Sequence, residues 1–315
     1  MMRILSALLL AGLIFSCSTA PSQQETITEK KDQAAEYTQF GNDYFNRGLY
    51  DQALEFFLLA LAYNVTVDNE AGMVNSYSSI GSVYTAKGDY PAALGSLNTA
   101  LTIAQKLNSP ALLAQVANKM GEVHLHAGDL EKAQTYFQEA LRYESQGIPE
   151  RETAVIYHNV GSVQKKLGQK DEALRSIEKA AAINLRLKRY EELASNYYMI
   201  ASIYSEKGMY DKALSYSEQA LEYDKKVENT LGIAKDYMAQ GFILEEKGDP
   251  AEAFDRFRKA YLIYLALKQI YPTMGIDREI MNVLGHMITT GTAAGREKEV
   301  ISYKKELEFL QKRMK

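Results

Sequence analysis

Cysteine occurs once in 315 residues, at position 17, and tryptophan does not occur at all. A single thiol closes no intramolecular disulfide, so the fold must hold by packing alone, even in an oxidising compartment. Neither sign of charge dominates: 36 Lys and Arg stand against 40 Asp and Glu, a formal net charge of −4. No basic stripe runs along the chain, and nucleic acid therefore has no electrostatic footprint on it. The G-x-x-x-x-G-K, H-E-x-x-H and G-x-S-x-G patterns are all missing. His124 and His126, two apart on an expected helix, point to different faces and make no metal pair. His124 and His286 are expected in packing, and the many acids alternate with Lys on faces expected to be solvated. These absences predict a non-enzyme without cofactor or metal.

What is present is a beat. Glycines stand at 48, 88, 128, 168, 208 and 248, each 40 residues after the last. Ala53, Ala93, Ala133, Ala173, Ala213 and Ala253 keep the same spacing, as do Ala60, Ala100, Ala140, Ala180, Ala220 and Ala260. A further small position holds Gly41, Gly81, Gly121, Gly161, Ala201 and Gly241. Four phase-locked positions define an internal repeat, and a repeat determines the fold before any local reading does.

Within a unit the apolar residues run at helical spacing, as Tyr37, Phe40, Gly41 and Tyr44 do in the first. Gly48 interrupts where the backbone must enter left-handed space. Asp51, Glu131, Asp171 and Asp211 then sit near the start of a second helix, facing its positive dipole end. Pro91 fits a first-turn position in its own unit. Each unit reads as helix, glycine turn and antiparallel helix. The small residues let two helices approach closely, and stacked hairpins bury what one hairpin cannot.

The string from Gly41 to Leu61, G-x-x-Y-x-x-x-G-x-Y-x-x-A-x-x-x-F-x-x-A-L, resembles the tetratricopeptide repeat (TPR). The resemblance covers residues 34–270 as six repeats and implies an all-α, right-handed α-solenoid. The spacing of 40 residues exceeds the family's usual ~34 and is similar to the longer-repeat arrays of kinesin light chains and Pins-type scaffolds. Tyr37, Tyr77, Tyr157, Tyr197 and Tyr237 take the slot of the consensus tryptophan. His124 and Gln164 replace an aromatic, and Ser217 stands where Phe57 and Phe257 sit, so units four and five are expected to pack less well. Residues 271–315 read as a degenerate seventh repeat, with Gly285 in the small slot, and a charged capping helix. A docking helix is the alternative for that last segment.

The beginning of the chain reads as an export signal, with Arg3 ahead of an apolar stretch from Ile4 to Phe15. That stretch has the length of a signal-peptide core and is short for a membrane span. Ile14-Phe15-Ser16-Cys17 resembles a bacterial lipobox, which implies acylation of Cys17 after removal of residues 1–16. A plain secretory signal with an incidental cysteine is the alternative. Residues 17–33 read as a flexible tether. The resemblance places the protein in a bacterial envelope, lipid-anchored, with the periplasmic face of the outer membrane favoured.

In the TPR family the first helices line a concave groove. Carried over position by position, that groove comprises Asn42, Asn75, Ser78, Ser82, Asn118, Glu122, His158, Ser162, Tyr198, Ser202 and Phe242. Amides and hydroxyls fill its middle, suited to a peptide backbone or a sugar. A solvated helix face needs the same residues and no ligand. The chaperone-type carboxylate clamp is excluded, because Thr38 and Ser79 stand where a lysine and an asparagine would be required. The expected function is a protein-interaction scaffold that docks a partner segment in the groove. A small-ligand or transporter accessory protein and a surface-exposed host-interaction protein are the alternatives, and self-association through the end repeats stays open.

Overall fold

The computed structural model describes residues 26–272 and 275–313. Cys17, the leader before it and the first part of the tether lie outside the described residues. Within them the backbone forms fourteen α-helices and no strand. The helices pair in order. They are α1 (Ile27–Asn46) with α2 (Tyr50–Thr66), α3 (Glu70–Ala86) with α4 (Tyr90–Lys106), and α5 (Pro110–Ala127) with α6 (Leu130–Leu141). Then come α7 (Glu150–Lys166) with α8 (Lys170–Arg186), and α9 (Tyr190–Glu206) with α10 (Tyr210–Lys226). The series ends with α11 (Thr230–Lys247) and α12 (Pro250–Ile270), followed by α13 (Asp277–Ala293) and α14 (Glu297–Arg313). Each helix packs mainly on its chain neighbours, as a solenoid requires.

Two kinds of joint set this geometry. Inside each of the first six hairpins the beat glycine carries a positive φ, between 70° at Gly208 and 90° at Gly248. Asp89 and Asp129 follow as N-caps, accepting from the amides of Ala92 and Lys132 at 3.1 and 3.3 Å. Between hairpins the left-handed residue is Asp68, Asn108, Lys188 or Glu228, with φ from 46° to 57°. Lys188 and Glu228 have no short polar side chain to ease that conformation. The third joint differs. There α6 stops at Leu141, a short 3₁₀ turn spans Glu144–Gln146, and Gly147 turns the chain at φ 82°. Buried Ile148 and then Pro149 restore the register at α7.

Packing within each hairpin is a small-against-large contact. Phe57, Leu97, Phe137, Ile177 and Phe257 lie on Gly41, Gly81, Gly121, Gly161 and Gly241. A Cβ on Gly121 would stand 2.5 Å from the Phe137 ring. Unit four therefore keeps the same kind of contact. In unit five Ala201 replaces glycine and Ser217 replaces the large side chain, and both are fully buried. The expected weakness there is a volume exchange, in which a methyl gained on one helix meets a smaller residue on the other.

The two ends depart from expectation. α1 begins at Ile27, so 27–33 is helix rather than tether. Thr26 Oγ1 accepts from the Glu29 amide at 3.1 Å and the Thr26 amide donates to Glu29 at 2.6 Å, a capping box. In the last hairpin Gly285 is not the close-approach residue, since a Cβ there would meet nothing within 4 Å. Gly291 takes that role against Val300 and Phe254. Arg296 then forks onto Asp255 at 2.8 and 3.1 Å, fastening α14 to α12.

Two stability outcomes follow from these contacts. Gly121→Ala forces its methyl into Phe137 and is expected to cost ~1–3 kcal/mol in urea denaturation. Lys188→Gly relieves a left-handed lysine and is expected to gain ~0.5–1 kcal/mol, after subtracting glycine's larger entropy loss. A neutral first variant or a destabilising second one would contradict the packing and joint assignments respectively.

Candidate binding groove

Successive first helices, α1 through α11, touch one another, while successive second helices stay farther apart. That difference bends the array with its first helices inside, and the groove is their shared face. Near the beginning, a cavity of about 880 Å³ is lined by Asn42, Ser78, Ser82 and Glu122, with Lys119 and Gln115 beside them. In the middle, His158 lines a smaller hollow with Asn184 and Asn196, and Ser162, Ser202 and Tyr198 line another with Lys165 and Glu206. Tyr198 and Phe242 also wall a cavity of about 630 Å³ toward the far end.

Asn75 and Asn118 are held differently. Asn75 Oδ1 accepts from Gln115 Nε2 at 3.1 Å, one repeat along. Asn118 is buried; it donates to Glu122 at 2.9 Å and accepts from Asn159 Nδ2 at 3.0 Å. The His158 ring meets Asn196 at 2.9 Å, and burial lowers its pKa, so it is a neutral hydrogen-bonding ring. Lys165 donates to Ser202 at 2.8 Å. These contacts join units two through five in series, across 37 to 41 residues. The amides on this face thus partly bond one another. Phe242 packs edge-on against Phe257 and His286, with ring centres 5.2 and 4.6 Å away, and forms a fixed wall.

The sequence reading missed a set of side chains at the joints between hairpins. Where α2 meets α3, Asn64 Nδ2 donates to Ser76 at 3.2 Å, and Asn69 donates to Asn64 at 2.7 Å. Where α8 meets α9, Asn184 donates to Asn196 at 2.8 Å. Where α10 meets α11, the same two slots hold Asp224 and Asp236, only 6 % and 1 % exposed. Burial, then the Asp224 charge and a hydrogen bond with it, push the Asp236 carboxyl up to about 8. Burial likewise raises Asp224, against donation from Asn229 at 3.0 Å. Two carboxyls buried together favour one shared proton over two charges. The signal lay in the period: positions 184 and 224, and 196 and 236, are one repeat apart.

Gln240 is a second departure. Its counterparts Ile80, Met120, Val160 and Ile200 are apolar and buried, and Gln240 is equally buried at 1 % exposure. Neither its Oε1 nor its Nε2 has a partner among the described residues, and the same holds for Asp236 Oδ2 and Glu279 Oε2. Asp236 and Glu279 line the 630 Å³ cavity with Tyr264. The Tyr264 phenol is pushed up to about 12 by burial and then by the Glu279 charge.

Comparison with known proteins sets this geometry in context. The apo form of RapI aligns with a TM-score of 0.70 at 15% identity, covering 91% of this chain and 76% of that one. A Rap protein complexed with Competence and Sporulation Factor aligns at 0.64 and 17% identity, covering 92% and 77%. BtubC (BKLC) from P. vanneervenii aligns at 0.59 and 20% identity, covering 76% and 92%. At these identities the likeness is one of fold. No curated protein sequence matches significantly. The family described as Tetratricopeptide repeat matches residues 32–106, 112–186 and 191–266, most of the chain. Together with the stacked hairpins, that match identifies this chain as a member of the tetratricopeptide repeat family.

Proposed function

We propose that this protein is a docking scaffold, held at a bacterial envelope by lipid on Cys17, that receives a protein segment in its groove. The observation that carries the reading is the continuous inner face of first helices. There Ser82, Ser162 and Ser202 occupy one repeat slot beside the hollows of the inner face. Hydroxyls and amides so placed can bond an extended backbone wherever their own partners leave a lone pair or proton free. The Rap protein seen with Competence and Sporulation Factor supports the same use of a like fold. Repeat arrays offer extended concave surfaces by construction.

The anchor rests on the sequence. The only cysteine of the chain follows an apolar stretch of signal-peptide length. Among the described residues no helix is long and apolar enough to cross a membrane. Acylation at Cys17 would attach the array through residues 18–25, with the periplasmic face of the outer membrane as the favoured site. A small-ligand accessory role is the second reading, and the aromatic-walled cavity between α9, α11 and α13 favours it.

Crosslinking in native envelopes tests the scaffold. Ser82→Arg with Ser162→Arg places two long cations in the groove and is expected to weaken partner capture at least about tenfold, roughly 1.4 kcal/mol. Retention of every partner by that variant would overturn the groove assignment. Cys17→Ser is expected to move the protein from the membrane fraction to the soluble one, and an unchanged distribution would overturn the anchor.

A further inference from the structure

The α10–α11 joint is built like two others in the array, and they act as its controls. Asn64 with Ser76, and Asn184 with Asn196, join the same slots through neutral groups that hydrogen-bond each other, although Asn184 Oδ1 has no partner among the described residues. The backbone is prepared alike: Gly232 and Gly72 each leave room that a Cβ would take from Asp224 or Asn64. Asn229 and Asn69 each accept from those glycine amides, at 3.1 and 3.3 Å. A neutral pair therefore does the structural work of this joint. Two acids there need something more, either a shared proton or a cation.

A further departure from the repeat lies one turn along α11. Gln240 buries an unpartnered amide where units two to five bury Ile, Met or Val, and it does not line the 630 Å³ cavity. Glu279, from α13, turns an unpartnered buried oxygen toward the same cavity. Tyr198, Phe242 and Tyr264 supply ring faces around it. Of the charged groups that line the space, Asp224, Asp236, Glu279 and Glu191 are acids, against one base, the exposed Lys235. About 630 Å³ is room for a small molecule or one long side chain with its flanks. Buried carboxylates with aromatic walls recognise an organic cation.

We propose that this cavity binds a primary ammonium or guanidinium group carried on a short apolar body, with the cation taking the place of the proton between Asp224 and Asp236. The displaced proton passes to solvent, and the carboxylates then accept hydrogen bonds from the cation. Gln240 lies one helical turn after Asp236 on α11 and stands outside the lining of the cavity, so the carboxylates of Asp224 and Asp236 carry the recognition. The site stands on this geometry whether the cation is a free amine or a Lys or Arg side chain of a segment docked as described above. Only the second source rests on the scaffold reading.

Titration calorimetry on the full-length chain separates these cases. One arm uses phenethylammonium and agmatine; the other uses an acetylated pentapeptide with a central arginine and its citrulline counterpart. Asp224→Asn with Asp236→Asn recreates the Asn184–Asn196 pair and should fold, with unchanged circular dichroism. It is expected to lose at least about tenfold in affinity for the cations. Binding at pH 7 should release a proton, read from the dependence of heat on buffer ionisation, and affinity should rise between pH 6 and 8. Of the groups facing Asp236, the Tyr198 and Tyr264 phenols are raised by burial and stay neutral in that window, Lys235 is the one base, and Asp224, Glu191 and Glu279 are carboxyls. Binding in either arm, lost in the double variant, supports the site and names the source. No binding in either arm, equal binding of citrulline and arginine peptides, or binding unchanged by the double variant would overturn it. Asp51→Asn, on the outer surface and remote from the cavity, should leave cation binding intact.

Discussion

The array depends on one contact made in five of the first six hairpins, a large side chain of the second helix seated on a glycine of the first. Phe137 on Gly121 is the clearest instance. It brings two helices close enough that the alanines around it can be fully buried on both sides, as Ala133 and Ala140 are. With the hairpin fixed in that way, the direction of every other residue in the unit follows. The first helices turn inward, the acids at the start of second helices meet lysines at the end of first helices, and polar slots fall at the joints. Asp51 with Lys87 at 2.6 Å and Asp211 with Lys247 at 2.9 Å are examples on the outer surface. Being exposed, these pairs contribute little beyond register.

Much of this was legible because a period is a strong constraint. A glycine recurring every 40 residues demands one backbone conformation six times, and the positive φ values at Gly48 through Gly248 answer that demand. The hairpin order and the small-residue slots followed. Substitution by a compensating pair was harder to read. Ser217 alone reads as a lost aromatic, and only its position across from Ala201 shows that the space was already smaller. In the seventh hairpin the beat is lost, and Gly285 was indistinguishable from Gly291 without knowing which one faces Phe254.

The inner face was legible as a list of positions and illegible as a set of bonds. Helical spacing puts Asn118 among the inward residues, but it cannot show that Glu122 and Asn159 occupy its hydrogen-bonding groups. The acid pair is a subtler case. Asp224 and Asp236 lie on different helices, on either side of a turn, and each reads by itself as an ordinary surface acid. Burial comes from the neighbouring hairpins, which no local pattern reports. Comparing each residue with its counterpart one unit away would have exposed the change from asparagine to aspartate, and the change from isoleucine to glutamine at 240.

The third joint gives the molecule a seam. Second helix α6 has 12 residues where α4 and α8 have 17, and a 3₁₀ turn with Ile148 fills the difference. Contacts in a solenoid run only between neighbours, so cooperativity passes through each joint in series. Side chains close the seam where helix length falls short: Phe137, Ile148, Ile156 and Val160 belong to one buried cluster that crosses it, and Asn159 donates to Asn118. Whatever passes between the first three hairpins and the last four therefore passes through that cluster and that bond.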